Sequence, residues 1–134
     1  MRKFEDLRIL VIDDSPRFLE QFSLMLAEEG IIKVKLCESA IQAKDILTNK
    51  TNELDQFDLV ICDQHMDNYT GIDLLKILRE SKSKEELPFF LVTSNSTKPN
   101  IIMMVQSGGN RFITKPPTKD DIVTKLIETF NITE

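Results

Sequence analysis

An α/β fold built on a parallel sheet with helices on both faces is what this sequence predicts, and three observations carry the prediction. β-rich runs at residues 8–13, 33–37, 58–62, 89–93 and 111–114 alternate with segments of helical periodicity along the whole chain. Runs such as Leu59-Val60-Ile61 are continuously apolar, as expected of central parallel strands buried on both sides. The helical segments also carry their own start and stop signals.

The elements follow in order. Ser15-Pro16 pairs an N-cap with a proline suited to the first helical position, and the helix it opens is expected to stop at Gly30, with Phe18, Phe22, Met25 and Leu26 on one face. Ser39-Ala40-Ile41-Gln42 is a capping-box pattern opening a second helix that carries Ile41, Ile46 and Leu47. A polar connector, residues 50–57, precedes the third strand, and Thr70-Gly71 begins a third helix with Ile72, Leu75 and Leu78. Pro99 lies near the start of a fourth helix ending at Gly108-Gly109. At 100° per residue Ile101, Met104, Val105 and Gly108 share its sheet-facing side, while Ile102 and Met103 project away. Thr118 caps a fifth, whose stripe is Ile122, Val123, Leu126, Ile127 and Phe130.

The bulk properties bound the function. A chain of 134 residues fits one domain, residues 1–134. With 22 acidic against 17 basic side chains and a formal net charge of -5, and without a basic stripe, the domain is not expected to bind nucleic acid directly. Cys37 and Cys62 form neither a disulfide framework nor a zinc spacing, and a single His rules out a His-rich metal site. No apolar run approaches the roughly 20 residues that cross a bilayer, and the first ten residues do not suit a secretory signal, so no membrane association and a cytoplasmic location are expected.

Chemistry collects at the strand ends. The first strand ends in Asp13-Asp14, the third at Asp63 after Leu59-Val60-Ile61-Cys62, and the fourth at Thr93, while the fifth is followed by Lys115-Pro116. Open parallel sheets bind ligands beyond their carboxyl edge, so these groups are expected to share one pocket. Adjacent buried carboxylates repel unless a cation compensates them. Hard oxygen ligands without imidazole or thiolate suit Mg²⁺, with Mn²⁺ close behind. A divalent ion, an ammonium and a hydroxyl together describe a site that neutralises phosphoryl oxygens, and one carboxylate can act as nucleophile to form an aspartyl phosphate. Taken alone, Asp13-Asp14 could instead cap a helix, Lys115-Pro116-Pro117 could be a polar turn, and Thr93 an ordinary strand residue.

On the acidic pair Asp13-Asp14, Asp63 in VICDQHMDNYTG, Thr93-Ser94 in FFLVTSNS and Lys115-Pro116 in RFITKPPT, the chain resembles the receiver domain of two-component response regulators, particularly the single-domain chemotaxis type. The resemblance implies a flavodoxin-like (βα)5 sheet of strand order 2-1-3-4-5. It implies that Asp63 accepts a phosphoryl group from a phosphohistidine of a histidine kinase or histidine phosphotransfer protein, and that the chain catalyses its own phosphorylation and dephosphorylation without being an enzyme with an external product. Asp14 would ligate Mg²⁺ directly, with Asp13, Asp63 and the backbone carbonyl of His65 completing the protein's contribution. Lys115 would pair with the phosphoryl group. Thr93 would swing onto it, and Phe112 would follow as a switch unless it is simply a half-buried core aromatic. Ser94 and His65 would modulate solvent access. Ile102, Met103 and Phe112 would belong to a downstream partner face formed by the fourth helix, fifth strand and fifth helix, which could also support a homodimer. One departure stands out: where receivers usually carry proline after Met66, this chain has Asp67, expected to loosen the loop and alter metal affinity or phosphoryl lifetime.

Two alternatives share the chemistry. A Mg²⁺-dependent phosphohydrolase of the haloacid-dehalogenase type also uses a strand-end aspartate, but its DxDxT/V pattern after the first strand is absent from Asp13-Asp14-Ser15. The chain could also be a receiver fragment of a larger hybrid kinase or regulator.

Overall fold

The computed structural model describes residues 3–132. The terminal residues of the expected 1–134 domain, at positions 1, 2, 133 and 134, lie outside the described residues. The strands are β1 (Arg8–Ile12), β2 (Lys33–Cys37), β3 (Leu59–Asp63), β4 (Phe89–Thr93) and β5 (Arg111–Thr114). The helices are α1 (Pro16–Ala27), α2 (Ala40–Leu47), α3 (Gly71–Leu78), α4 (Lys98–Gln106) and α5 (Lys119–Phe130). All strand pairings are parallel and the order is β2-β1-β3-β4-β5, the expected flavodoxin-like arrangement. β3 and β4 are buried throughout, as their unbroken apolar sequences require.

Strand alternation divides the core in two. Leu10, Ile12, Val60, Cys62, Phe89 and Leu91 face one side, against Ala43, Ile46, Leu75, Leu78 and Met104 of α2, α3 and α4. Ile9, Val11, Leu59, Ile61, Phe90 and Val92 face the other, against Phe22 and Leu26 of α1 and Ile122 and Leu126 of α5. Both cysteines are free and buried. Among the described residues no helix is long and apolar enough to cross a membrane.

The caps act where the sequence puts them. Ser15 Oγ accepts from Phe18 N at 3.2 Å, Ser39 Oγ from Gln42 N at 3.1 Å and Thr118 Oγ1 from Asp121 N at 3.2 Å. Thr70 and Asp73 form a reciprocal capping box.

Several boundaries and faces differ from expectation. β1 stops at Ile12, because the backbone at Asp13 turns to feed α1. β3 begins at Leu59 and includes Asp63, because Asp58 spends its carboxylate on the backbone and guanidinium of Arg8. α1 ends at Ala27, three residues before Gly30, whose φ of +85° lets Ile31 N turn back to Leu26 O. Ile41 is 55% exposed; Ala40 and Ala43 pack instead, their small side chains letting α2 lie close on the sheet. On α4, which stops at Gln106, Val105 is 56% exposed and Met104 carries the buried contact. The polar connector hides one apolar anchor, Leu54, in a 3-10 turn.

Candidate functional site

Parallel strands deliver their carboxyl ends to one edge, and the expected groups meet there. Asp13 and Asp63 are buried at 1% and 4% exposure, while Asp14, next in the chain to Asp13, is exposed. The three carboxylates offer ligand oxygens that all lie within 4.8 Å of one another. Lys115 reaches the cluster from beyond β5, with its backbone N–H donating to Thr93 O at 2.9 Å and its peptide to Pro116 cis. Its Nζ donates to Asp13 Oδ2 at 2.9 Å and lies 3.1 Å from Asp63 Oδ1.

The bonds separate the roles of the acidic pair. Asp13 has both oxygens engaged, Oδ1 accepting from Ser15 N at 2.8 Å and Oδ2 from Lys115. Asp14 faces outward. One ammonium among three carboxylates leaves excess negative charge in a partly dry pocket. Hard oxygens lacking imidazole or thiolate fit a small divalent cation, so the residues present suit Mg²⁺. Burial first, and the neighbouring Asp13 charge second, raise the pKa of Asp63 above its ordinary 3.8, with Lys115 and His65 opposing. Burial works against the Lys115 ammonium, but its bonds to Asp13 and Asp63 outweigh this and leave its pKa raised.

The loops around the cluster are held tightly. Gly71 N and Ile72 N donate to the backbone and side-chain oxygens of Gln64, both at 3.0 Å. A Cβ at Gly71 would stand 2.6 Å from Asp63 O, so only glycine allows α3 to start so close to the acidic residue. Asp67 is exposed, and two residues on, Tyr69 OH accepts from Lys44 Nζ of α2 at 3.0 Å, tying down the loop that lacks proline. His65 is exposed beside Asp63.

Thr93 is 4% exposed, and its Oγ1 accepts from Asn95 N at 3.0 Å, so the hydroxyl here serves its own loop. A cavity of about 190 Å³ separates it from Phe112 and is lined also by His65, Asn95, Ile101 and Met104. Phe112 is half-buried, with Lys125 Nζ 4.7 Å above its ring. Ser94 is exposed in a groove shared with Phe18, Met25, Lys115, Pro116 and Pro117. On α4, Ile102 and Met103 are 44% and 50% exposed, on the outward side as expected.

Sequence reasoning missed Asn95, Gln64 and Phe18. Asn95 and Gln64 act through backbone and amide bonds that have no motif. Phe18, whose ring centroid lies 4.2 Å from Lys115 Nζ, has the spacing of an ordinary core residue.

Known proteins resemble the chain in sequence and in fold. Over 120 residues the chain is 29% identical to a chemotaxis protein CheY homolog of Campylobacter jejuni subsp. jejuni serotype O:23/36 (strain 81-176), covering 90% of this chain and 89% of that protein. Its fold matches Vibrio cholerae chemotaxis protein CheY4 with a TM-score of 0.78 at 19% identity, covering 92% of this chain and 98% of the other. It also matches a two-component system response regulator/GGDEF domain protein with a TM-score of 0.81 at 20% identity, covering 95% of this chain but only 50% of that one, so here the chain spans half the length of its relative. Residues 9–127 match the response regulator receiver domain, an extent that takes in every strand from Ile9 and every group at the acidic edge, and the chain therefore belongs to that family.

Proposed function

We propose that this chain is a phosphoacceptor of a two-component phosphorelay, in which Asp63 receives a phosphoryl group from a phosphohistidine. The observation that supports this best is the Lys115 ammonium held between Asp13 and Asp63, at 2.9 and 3.1 Å, with Asp14 exposed beside them. A carboxylate oxygen of Asp63 attacks phosphorus, the P–O bond forms as the P–N bond to the donor imidazole breaks, and the electron pair leaves with the imidazole. Asp14, Asp63 and the backbone carbonyl of His65 would hold Mg²⁺, with Asp13 positioned by Ser15 and Lys115 to bind through water. The ion, when bound, neutralises charge on the phosphoryl oxygens. Lys115 is placed to follow a phosphoryl oxygen once Asp63 carries it. Water attack on the acyl phosphate returns the carboxylate and releases phosphate, and exposed His65, Asp67 and Ser94 line the approach that sets its rate.

Output follows as a population shift. Thr93 exchanges its bond with Asn95 for a phosphoryl oxygen, and Phe112 moves into the cavity beside it. The surface around Ile102, Met103 and Phe112 then changes its affinity for a downstream protein or a second copy of the chain. Residues 1–134 work in this reading as one cytoplasmic receiver.

Intact-mass analysis after incubation with acetyl phosphate and Mg²⁺ tests the proposal. The natural chain is expected to gain a labile phosphate adduct that Asp63→Asn does not. Equal adducts on both would reject Asp63 as acceptor.

A further inference from the structure

We infer that Phe18 is a positioning residue for Lys115, closing over the ammonium on the side that the carboxylates leave open. The inference rests on the phosphoacceptor reading and adds to it a residue whose only chemistry is its ring face. Lys115 Nζ has three N–H donors, and Asp13 and Asp63 occupy two directions, at 2.9 and 3.1 Å. The Phe18 ring lies 4.2 Å away by its centroid, within cation–π range.

The ring is itself held in place. Phe18 is the third residue of α1, its N–H is fixed by the cap at Ser15 Oγ, and its ring stacks on Phe22 one turn later, with centroids 5.4 Å apart and planes 25° from parallel. Lys115 remains 26% exposed even with two buried partners, so without the ring its remaining face would be open to water through the groove between α1 and Pro116-Pro117.

A ring face does what neither water nor a third carboxylate can do. It attracts the cation without offering an oxygen that would compete with an incoming phosphoryl group. Lys115 can then turn from Asp13 toward the new oxygens while staying over the ring.

The full-length chain tests this through the rate of adduct formation with acetyl phosphate and Mg²⁺. Phe18→Leu, which keeps apolar bulk but removes the quadrupole, is expected to slow the reaction about threefold to tenfold. Phe18→Tyr is expected to restore it. Fluorinated phenylalanines at position 18, which keep the shape and drain the ring face, are expected to slow it stepwise with fluorine number. A packing role predicts no such gradient, and its absence overturns the inference. The second readout needs no phosphoryl donor: the Lys115 ε-methylene protons should resonate upfield in the natural chain and return to ordinary positions in Phe18→Leu. Ordinary positions in the natural chain mean that the ring does not hold the ammonium, whatever the rates. If the natural chain forms no adduct while the upfield shifts are present, it is the phosphoacceptor reading that falls, and with it any part for Phe18 in phosphoryl transfer.

Discussion

Asp63 is buried at a cost to the folded chain. Burial and the Asp13 charge raise its pKa on folding, so between its ordinary value of 3.8 and the higher folded value the native state binds more protons than the unfolded chain. The sign follows directly: this group's contribution to stability falls as pH rises through that window, and above it the ionised carboxylate destabilises the fold. Replacing it with a neutral isostere removes the penalty, while Lys115 keeps its bond to Asp13. Asp63→Asn is therefore expected to be more stable than the natural chain at neutral pH in chelator-containing buffer, by on the order of 1 kcal/mol, with the advantage shrinking as pH falls through the window. Urea denaturation of both chains across pH checks it, and a mutant less stable at every pH would mean that the Lys115 bond outweighs burial at Asp63.

At the scale of elements, the helices are secured by groups that look unremarkable in sequence. Arg79, just past α3, donates from Nε to Gly108 O at 2.8 Å, from one terminal nitrogen to Leu87 O at 2.9 Å and from the other to Asn110 Oδ1 at 3.1 Å. Asn110 Oδ1 also accepts from Phe89 N at 2.9 Å, so one guanidinium joins the end of α3, the end of α4 and the starts of β4 and β5. Burial lowers the pKa of Arg79, the mark of a cation that has given up water for fixed carbonyls. The far end of α4, near Thr93 and Asn95, has no comparable clamp among the bonds of its cap, since Thr97 makes no side-chain cap bond. The bonds at the two ends of α4 therefore differ in number: several from Arg79 and Asn110 at its C-terminal end, and Asn100 Nδ2 donating to Asn95 O at 3.0 Å near its start. Arg79→Met leaves partly buried carbonyls unpaired and is expected to cost about 3 kcal/mol of stability by urea denaturation. Amide exchange is expected to accelerate at 107–110 before it does in β3; uniform acceleration would make Arg79 a general stabiliser and not the anchor of α4.

For the molecule as a whole, what the sequence discloses is what period and position can encode. Strand order aside, the sheet was legible because β3 and β4 are unbroken apolar runs, and the acidic edge because Asp13-Asp14, Asp63, Thr93 and Lys115 each terminate or follow a strand. Helix rotation was not. A 100° step relates residues within α2 or α4 but does not say which face the sheet takes, so the pattern turns Val105 inward although it is exposed, and it gives no sign that Ile41 is exposed as well. Arg79 and Phe18 were illegible for a related reason: their partners, Gly108 and Lys115, come from distant parts of the chain. On the proposed reading, the same edge would make the whole fold responsive to metal. With a net charge of -5 and three carboxylates around one ammonium, a divalent ion bound only by the native state stabilises it by mass action, about 2.7 kcal/mol at a free concentration 100 times its Kd. Among the described residues Asp14 is the member with no protein bond to lose, because Asp13 is held by Ser15 and Lys115 and Asp63 by Lys115. Asp14→Ala should therefore leave the metal-free melting temperature nearly unchanged yet abolish most of its rise with added Mg²⁺. Asp67→Ala, on the exposed loop beyond, should retain that rise. Thermal melts titrated with Mg²⁺ separate the two, and a larger loss from Asp67→Ala would move the metal site from the strand edge to the loop.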